Sequence, residues 1–292
     1  MPWSQAMLSR LALLACACVA ADGLRCSRQD VLRGAAGLSI GGGGGAAAAA
    51  PGALREVTDP RTYTALAYSP PGQAKPPLLV VLHGAGENAR DAWNLADPRG
   101  EHRGLAPSLL AAGAAPRSLS ENFAVVAPYA GVGRRTLYDD PRSKVTGFVD
   151  WVLSDAGRAA GCPDADPRRV FLFGFSDGAT EAVELLTTRR FAGAVVCSYG
   201  FTGVLPSAAV QRLADLPVWV FHSADDAIFD VANSDRLVAA LRRGGTRDVV
   251  RYTRYDADPE NVAGAARGHT MGIAASKLPE VYDWLLALAP PP

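Results

Sequence analysis

The chain has 292 residues, enough for one large or two ordinary domains, and 49% of them are hydrophobic, enough to bury a substantial core. Its 29 lysines and arginines balance its 29 aspartates and glutamates without any basic cluster, which argues against a nucleic-acid partner. Of its five cysteines, only Cys162 and Cys197 lie outside the N-terminal stretch. Cys197 lies in a strand-like segment, which predicts a buried, inert thiol; a disulfide with Cys162 is the alternative.

Residues 1–52 are predicted to be a targeting leader that ends in a disordered Gly/Ala-rich linker. The apolar run 11–20 follows Arg10, as in a secretory signal peptide, and is too short to span a bilayer. A second unit resembles a twin-arginine-type export signal with Gln29 in place of the second arginine, and two signals in tandem resemble leaders for a plastid lumen. A single secretory signal is the alternative. We therefore expect an exported protein, either secreted or in the plastid (thylakoid) lumen.

Strand and helix patterns alternate from about residue 55 onward, which predicts a mainly parallel sheet with helices on both faces, an α/β fold. The region 53–292 is predicted to be one domain. No later apolar stretch approaches the length of a membrane span, and nothing in the sequence indicates an oligomeric state. The predicted elements are an edge strand at 61–68, strands at 78–82, 123–127, 169–173, 192–198, 217–221 and 248–255, and helices at 143–160, 230–241 and 276–288.

The most informative motif is Gly-Phe-Ser-Asp-Gly at residues 174–178. It follows a predicted buried strand and precedes a segment, 179–186, with helical apolar spacing. Strand, Gly-x-Ser-x-Gly and helix together are typical of a tight turn that exposes a nucleophilic serine at the end of a sheet. A chance match in a chain with 30 glycines is the alternative. The motif makes Ser176 the candidate nucleophile.

A serine nucleophile needs a histidine to accept its proton and a carboxylate to orient the histidine. With this strand–turn–helix motif, the partners follow the serine in the order acid, then histidine. Of the two histidines that follow Ser176, His222 precedes the candidate acids, whereas His269 lies in a loop before the last predicted helix. We therefore predict His269 as the base and Asp226 as the acid, with Asp225 as the alternative acid.

Two backbone amides are needed to stabilise the oxyanion. The amide of Asp177 follows the nucleophile, and the second is expected from the glycine-rich loop 83–87, with Ala85 preferred over Gly86. A phosphate-binding loop is disfavoured, because neither the dinucleotide nor the P-loop spacing is present.

The substrate pocket is predicted to be an open, partly aromatic cleft. The segment 88–121 is expected to form one wall, and the short connection 199–216 leaves no room for a large cap domain. No metal-ligand spacing appears, so no metal or cofactor is predicted. Such a cleft suits small or medium acyl or aryl esters, and the candidate lining residues are His83, Tyr129, Tyr199 and Phe201.

Together, the motifs at 82–87, 174–178, 221–226 and 268–269 resemble the α/β-hydrolase superfamily over about residues 60 to 288. The likeness is to the phospholipase/carboxylesterase and acyl-protein thioesterase group and to polyhydroxybutyrate-depolymerase-like or feruloyl-esterase-like proteins. This resemblance implies a serine esterase or thioesterase acting on a small-molecule ester, with the acid four residues after the strand-end histidine, at Asp226. A peptidase of the same fold and a non-catalytic binding protein are the alternatives.

One departure from the resembled pattern generates a prediction. Asp177 stands where an uncharged residue is usual, and its carboxylate would oppose negative charge on the oxyanion if it faced that site. We expect Asp177→Gln to raise kcat/KM for ester hydrolysis. An unchanged or lower value would contradict this electrostatic argument.

Overall fold

A computed structural model of the chain describes residues 52–86, 91–100, 102–131, 136–137, 139–245, 249–260, 262 and 264–289. The predicted leader, 1–52, lies outside these residues except for Gly52. Among the residues described, no helix combines the length and the apolar composition that a membrane span requires.

The centre of the fold is an eight-stranded sheet with the strand order β1-β2-β4-β3-β5-β6-β7-β8. Strand β2 pairs antiparallel with β1 and β4, and all the other pairs are parallel. The predicted mainly parallel sheet is therefore confirmed. The strands are β1 (Arg55–Thr58), β2 (Thr64–Tyr68), β3 (Pro77–Leu82), β4 (Ala124–Pro128), β5 (Asp166–Phe175), β6 (Gly193–Cys197), β7 (Val218–Ser223) and β8 (Val250–Tyr255).

Helices cover both faces of this sheet. Successive residues of β3 alternate between two hydrophobic clusters, as the alternation of side chains along a strand requires. One cluster includes residues of α3, α5 and α7, and the other includes residues of α1, α8 and α9. The helices are α1 (Ala106–Ala111), α2 (Arg117–Ser120), α3 (Arg142–Val152), α4 (Asp155–Ala159), α5 (Asp177–Leu186), α6 (Ser207–Leu213), α7 (Ala232–Gly244), α8 (Met271–Lys277) and α9 (Pro279–Ala287), with a short 3-10 helix at Ala92–Ala96.

The predicted edge strand at 61–68 is wrong in two respects. Residues 61–63 belong to a turn in which the Asp59 carboxylate accepts hydrogen bonds from the Arg61 amide and the Thr62 hydroxyl. The remaining residues form β2, an inner strand whose last four residues are buried. The edge strand is β1. The hydrophobic pattern of the sequence does not indicate it, because only one of its four residues, Val57, is buried.

Two predicted helices are each divided into two. The predicted helix 143–160 is α3 followed by α4, because Ser154 accepts a hydrogen bond from the Gly157 amide and thereby starts a new helix. The predicted helix 276–288 begins earlier and is α8 followed by α9, since Pro279 occupies the first turn of α9 and lacks an amide hydrogen.

Both edges of the sheet carry charged side chains. Arg55 and Glu56 lie on β1, and the exposed Arg251 and Arg254 lie on β8.

Glu181 is the buried carboxyl group on α5, and its Oε1 atom has no hydrogen-bond partner. Burial, reinforced by the negative charges of Glu184 and Asp140, raises the pKa of Glu181 to about 8 despite the opposing effect of Arg142. The folded protein therefore keeps a proton here that the unfolded chain releases near pH 4 to 5. Stability from this site is present below that range and falls as the pH rises toward 8.

We expect Glu181→Gln to remove this pH dependence. The variant should gain roughly 2–4 kcal/mol in free energy of unfolding relative to the wild type at pH 8.5, and little at pH 4. Urea denaturation at both pH values measures the difference, with the exposed Glu56→Gln as a control expected to follow the wild type. Parallel behaviour of Glu181→Gln and wild type across this range would contradict the assignment of a neutral buried carboxyl.

Candidate active site

Ser176 lies at the sharp turn between β5 and α5. Its backbone adopts φ 57° and ψ −122°, a conformation that residues with a Cβ rarely adopt. A Cβ on Gly174 would lie 2.2 Å from the carbonyl oxygen of Gly178, and one on Gly178 would lie 2.2 Å from that of Leu82. Only glycine fits at both positions. The turn thus has the geometry that the Gly-x-Ser-x-Gly motif predicted.

Three distant side chains meet at this turn. Nε2 of His269 lies 2.9 Å from Oγ of Ser176, and Nδ1 of His269 lies 2.8 Å from Oδ2 of Asp226. Because the carboxylate is an acceptor, Nδ1 carries the ring hydrogen, and Nε2 is left to accept the hydroxyl proton of Ser176. The arrangement can therefore move a proton from the serine to the histidine.

The environment of Asp226 keeps its side chain ionised, although that side chain has no exposed surface. Burial by itself would raise its pKa. Hydrogen bonds from His222 and His269, the charge of His269 and the backbone amide of Phe229 outweigh burial and hold the pKa of Asp226 well below its usual range. A permanently charged acceptor is thus available to His269.

The loops that carry Asp226 and His269 contact each other directly. Gly268 has a φ of 72°, and a Cβ there would lie 2.4 Å from the backbone of Asp225 and Asp226. The amide of Ala227 donates to the carbonyl of Arg267 over 2.9 Å. This close approach, which only glycine permits, fixes the separation between the acid and the histidine.

The carboxylate of Asp258 stabilises the loop that carries His269. Asp258 accepts hydrogen bonds from the amide and hydroxyl of Thr270, next to His269, and its own amide donates to Oδ1 of Asp225. Asp225 is therefore a loop-stabilising residue that accepts from Ser223 and Asp258, whereas Asp226 contacts His269. The structure separates the two adjacent candidate acids in this way.

The glycine-rich loop after β3 lies against the serine. A Cβ on Gly84 would lie 2.9 Å from Cβ of Ser176, so the loop that carries Ala85 and Gly86 passes beside Ser176. His83 fixes this loop: its Nε2 accepts a hydrogen bond from the amide of Ala130, and its Nδ1–H donates to the carbonyl of Gly84 over 2.7 Å. Burial lowers the pKa of His83 to about 4, which keeps the ring neutral.

Comparison with known proteins relates this architecture to solved structures. A thermostable esterase matches with a TM-score of 0.56 and 23% identity, over 80% of this chain and 62% of its own. Thermogutta terrifontis esterase 2 phosphorylated by paraoxon matches with a TM-score of 0.53 and 15% identity, over 82% of this chain and 96% of its own. A Klebsiella pneumoniae protein assigned as a dienelactone hydrolase matches with a TM-score of 0.53 and 17% identity, over 81% and 97%.

The chain has the α/β-hydrolase fold. The sheet order and the serine turn described above agree with this assignment. The chain spans less than two thirds of the thermostable esterase. No family model and no curated protein matches the chain.

Three of the four predicted pocket residues have little exposed surface. His83, Tyr129 and Tyr199 are all buried, and Tyr129 and Tyr199 belong to the hydrophobic clusters on either side of the sheet. Phe201 is half-buried, and its role in the pocket stays a prediction.

The aromatic residues that do contact His269 are Phe175 and Phe229, neither of which is among the predicted pocket residues. The rings of Phe175 and Phe229 have their centroids 5.2 Å and 5.4 Å from that of His269. Phe229 packs so closely on Gly200 that a Cβ there would lie 2.3 Å from the ring. The position of Phe229 in the sequence, three residues after Asp226, is the signal from which its contact with His269 could have been predicted.

Large hydrophobic side chains are also exposed near this edge of the sheet. In the described part of the chain they are Trp93, Val204 and Ile228, at 43%, 82% and 53% exposure. Each lies in the segment that follows the carboxyl end of a strand, β3, β6 or β7 respectively; β3 and β6 are the neighbours of β5 in the sheet, and β7 lies beside β6. All of the residues from 198 to 217 are described, and α6 is their only helix, so no large cap lies between β6 and β7.

The two cysteines in the described part of the chain lie in the interior of the fold. Cys162 and Cys197 are both free and buried, so the alternative of a disulfide between them is wrong. Burial raises the pKa of the Cys197 thiol far above its usual value. Within the described ranges, no group of three or more His, Cys, Asp or Glu side chains is arranged to hold a metal ion.

The separate surroundings of the two adjacent carboxylates lead to a prediction. We expect Asp226→Asn to slow the reaction of Ser176 with a fluorophosphonate by ~10³-fold or more, because an amide no longer holds His269 in the required tautomer. Asp225→Asn keeps an oxygen that accepts from Ser223 and from the Asp258 amide, and we expect it to react within about threefold of the wild type. Equal losses in both variants would contradict the assignment of Asp226.

Proposed function

We propose that this protein is a serine hydrolase that cleaves carboxylic esters or thioesters through an acyl-enzyme intermediate. The observation that carries the proposal is the pair of contacts from one imidazole, 2.9 Å to Ser176 and 2.8 Å to Asp226. Separations in this range are those that a general base needs toward the proton it removes and toward the group that orients it.

In the first half of the proposed reaction, Oγ of Ser176 attacks the carbonyl carbon of the ester while Nε2 of His269 takes the hydroxyl proton. The tetrahedral oxygen accepts hydrogen bonds from the amides of Asp177 and Ala85, with Gly86 as the alternative to Ala85. The intermediate then expels the alcohol or thiol, which leaves with the proton from Nε2. Ser176 is left as an acyl ester.

The second half repeats this chemistry with water. Nε2 of His269 takes a proton from a water molecule, whose oxygen attacks the acyl carbon. Collapse of the second tetrahedral intermediate breaks the bond to Oγ of Ser176, and the proton on Nε2 returns to that oxygen. The carboxylic acid is released. Asp226 stays ionised throughout, as its depressed pKa favours, and stabilises the imidazolium that forms in each half.

The surroundings of the site favour apolar esters of small or medium size. Exposed hydrophobic residues follow the carboxyl ends of β3, β6 and β7, and no large cap lies between β6 and β7 to enclose a long lipid. Two similar structures are named as esterases, which supports an ester as the substrate. Expulsion of an amine from a peptide requires stronger protonation of the leaving group, so ester cleavage is the less demanding reaction for this site.

The test is a substrate panel together with active-site labelling. We expect the leaderless protein to hydrolyse p-nitrophenyl esters of short and medium chain length and to leave the matching p-nitroanilides unchanged. A fluorophosphonate should label the wild type; phosphorylation of a similar structure by paraoxon supports the choice of a phosphorus reagent. We expect Ser176→Ala to lose both labelling and hydrolysis.

The buried Ser276→Ala, remote in sequence from the motif, is the matched control that should keep both activities. Cleavage of the anilides but not of the esters would favour a peptidase. A folded wild type that is neither labelled nor active would favour a non-catalytic binding protein.

A further inference from the structure

A second histidine contacts the carboxylate that orients His269. His222 is the last residue but one of β7 and is fully buried. Its Nε2 lies 3.3 Å from Oδ2 of Asp226 and 2.9 Å from the carbonyl oxygen of Phe229. Both neighbours are hydrogen-bond acceptors, so Nε2 of His222 carries a hydrogen.

The other ring nitrogen of His222 faces a hydroxyl group. Oγ of Ser234, a buried residue in α7, lies 2.7 Å from Nδ1 of His222. In the neutral ring with its hydrogen on Nε2, Nδ1 has no hydrogen and accepts a hydrogen bond from the Ser234 hydroxyl. Ser234 therefore favours the tautomer in which Nε2 donates toward Asp226 and Phe229.

This contact completes the hydrogen bonding of a buried carboxylate. Oδ1 of Asp226 accepts from the amides of Ile228 and Phe229, each over 2.9 Å, and Oδ2 accepts from His269. The amides fix Oδ1 from the loop side. His222 reaches Oδ2 from the strand side, and the same nitrogen also restrains the carbonyl of Phe229, whose ring packs on His269.

We propose that His222 is a positioning residue for the acid, that Ser234 sets its tautomer, and that together they hold Oδ2 of Asp226 toward Nδ1 of His269. This inference rests on the proposed function for its kinetic consequences. The polar contacts themselves run from Ser234 through His222, Asp226 and His269 to Ser176, and Nε2 of His222 is shared between Oδ2 of Asp226 and the closer carbonyl oxygen of Phe229.

The experiment compares His222→Leu with His222→Gln. Leucine removes the donor, and glutamine places an amide nitrogen close to the position of Nε2. We expect His222→Leu to lower kcat for a p-nitrophenyl ester about 10- to 100-fold, as for the loss of a hydrogen bond to a charged group. KM should stay within about threefold, and His222→Gln should recover most of the loss.

Because His222 is buried, a safer pair of variants accompanies this comparison. Ser234→Ala and Ser276→Ala each remove one hydroxyl from a fully buried helical serine, but the Ser276 hydroxyl has no hydrogen-bond partner. We expect Ser234→Ala to lower kcat and the rate of fluorophosphonate labelling about 3- to 10-fold, and Ser276→Ala to leave both unchanged. Thermal denaturation checks that both variants fold.

A readout that does not require turnover separates this inference from the proposed function. The proton shared between Nδ1 of His269 and Asp226 should give a low-field proton NMR signal in the wild type. We expect this signal to shift or broaden in Ser234→Ala and to persist unchanged in Ser276→Ala. A shift in a protein that fluorophosphonates do not label would sustain the positioning role while the hydrolase proposal fails.

The opposite result overturns the inference alone. It fails if Ser176 is labelled normally but Ser234→Ala matches Ser276→Ala in kcat and in the NMR signal. It also fails if His222→Gln loses as much kcat as His222→Leu, or if the loss appears in KM, since a residue that only supports folding or binding would behave in that way.

Discussion

The backbone of Ser176 is held in a conformation that a serine avoids, and the site depends on that constraint. A residue in such a conformation costs ~1–3 kcal/mol, so the surrounding structure must over-determine it. Contacts between Gly174 and Gly178, and between Gly178 and β3, leave no space for a relaxed turn. The amide of Ser176 also donates to the carbonyl of Cys197 on β6 over 2.9 Å. The hydroxyl is thereby directed toward His269.

Parallel strands explain how residues 93 and 43 positions apart in the chain can meet at one point. Strands β5 and β7 both end at the same edge of the sheet, and the loop after β8 returns to that edge before α8. Gly268, Asp225 and Asp258 then join the two loops. The separation of Asp226, His269 and Ser176 therefore depends on loop-to-loop contacts as much as on the sheet.

The sequence was sufficient to predict the parallel sheet, the serine turn and the candidates Ser176, Asp226 and His269, because turn chemistry and chain order are local signals. Prediction from the sequence failed where one residue pattern is compatible with two different structures. Alternating residues at 61–68 are equally compatible with an edge strand and with β2, an inner antiparallel strand. Aromatic residues after a strand, such as Tyr129 and Tyr199, can face either the substrate or the core. The contacts of His222 with Ser234, and of Asp258 with Thr270, depend on tertiary packing and have no local signature.

The charged edges of the sheet have a consequence for the behaviour of this protein at high concentration. An open sheet presents unpaired backbone groups along its outer strands, and another chain can pair with them and begin aggregation. Here β1 is only four residues long and carries Arg55 and Glu56, while β8 carries exposed Arg251 and Arg254. A strand from another molecule would have to strip water from the exposed charges of Glu56, Arg251 and Arg254 in order to pair, which disfavours edge-to-edge association of the folded protein.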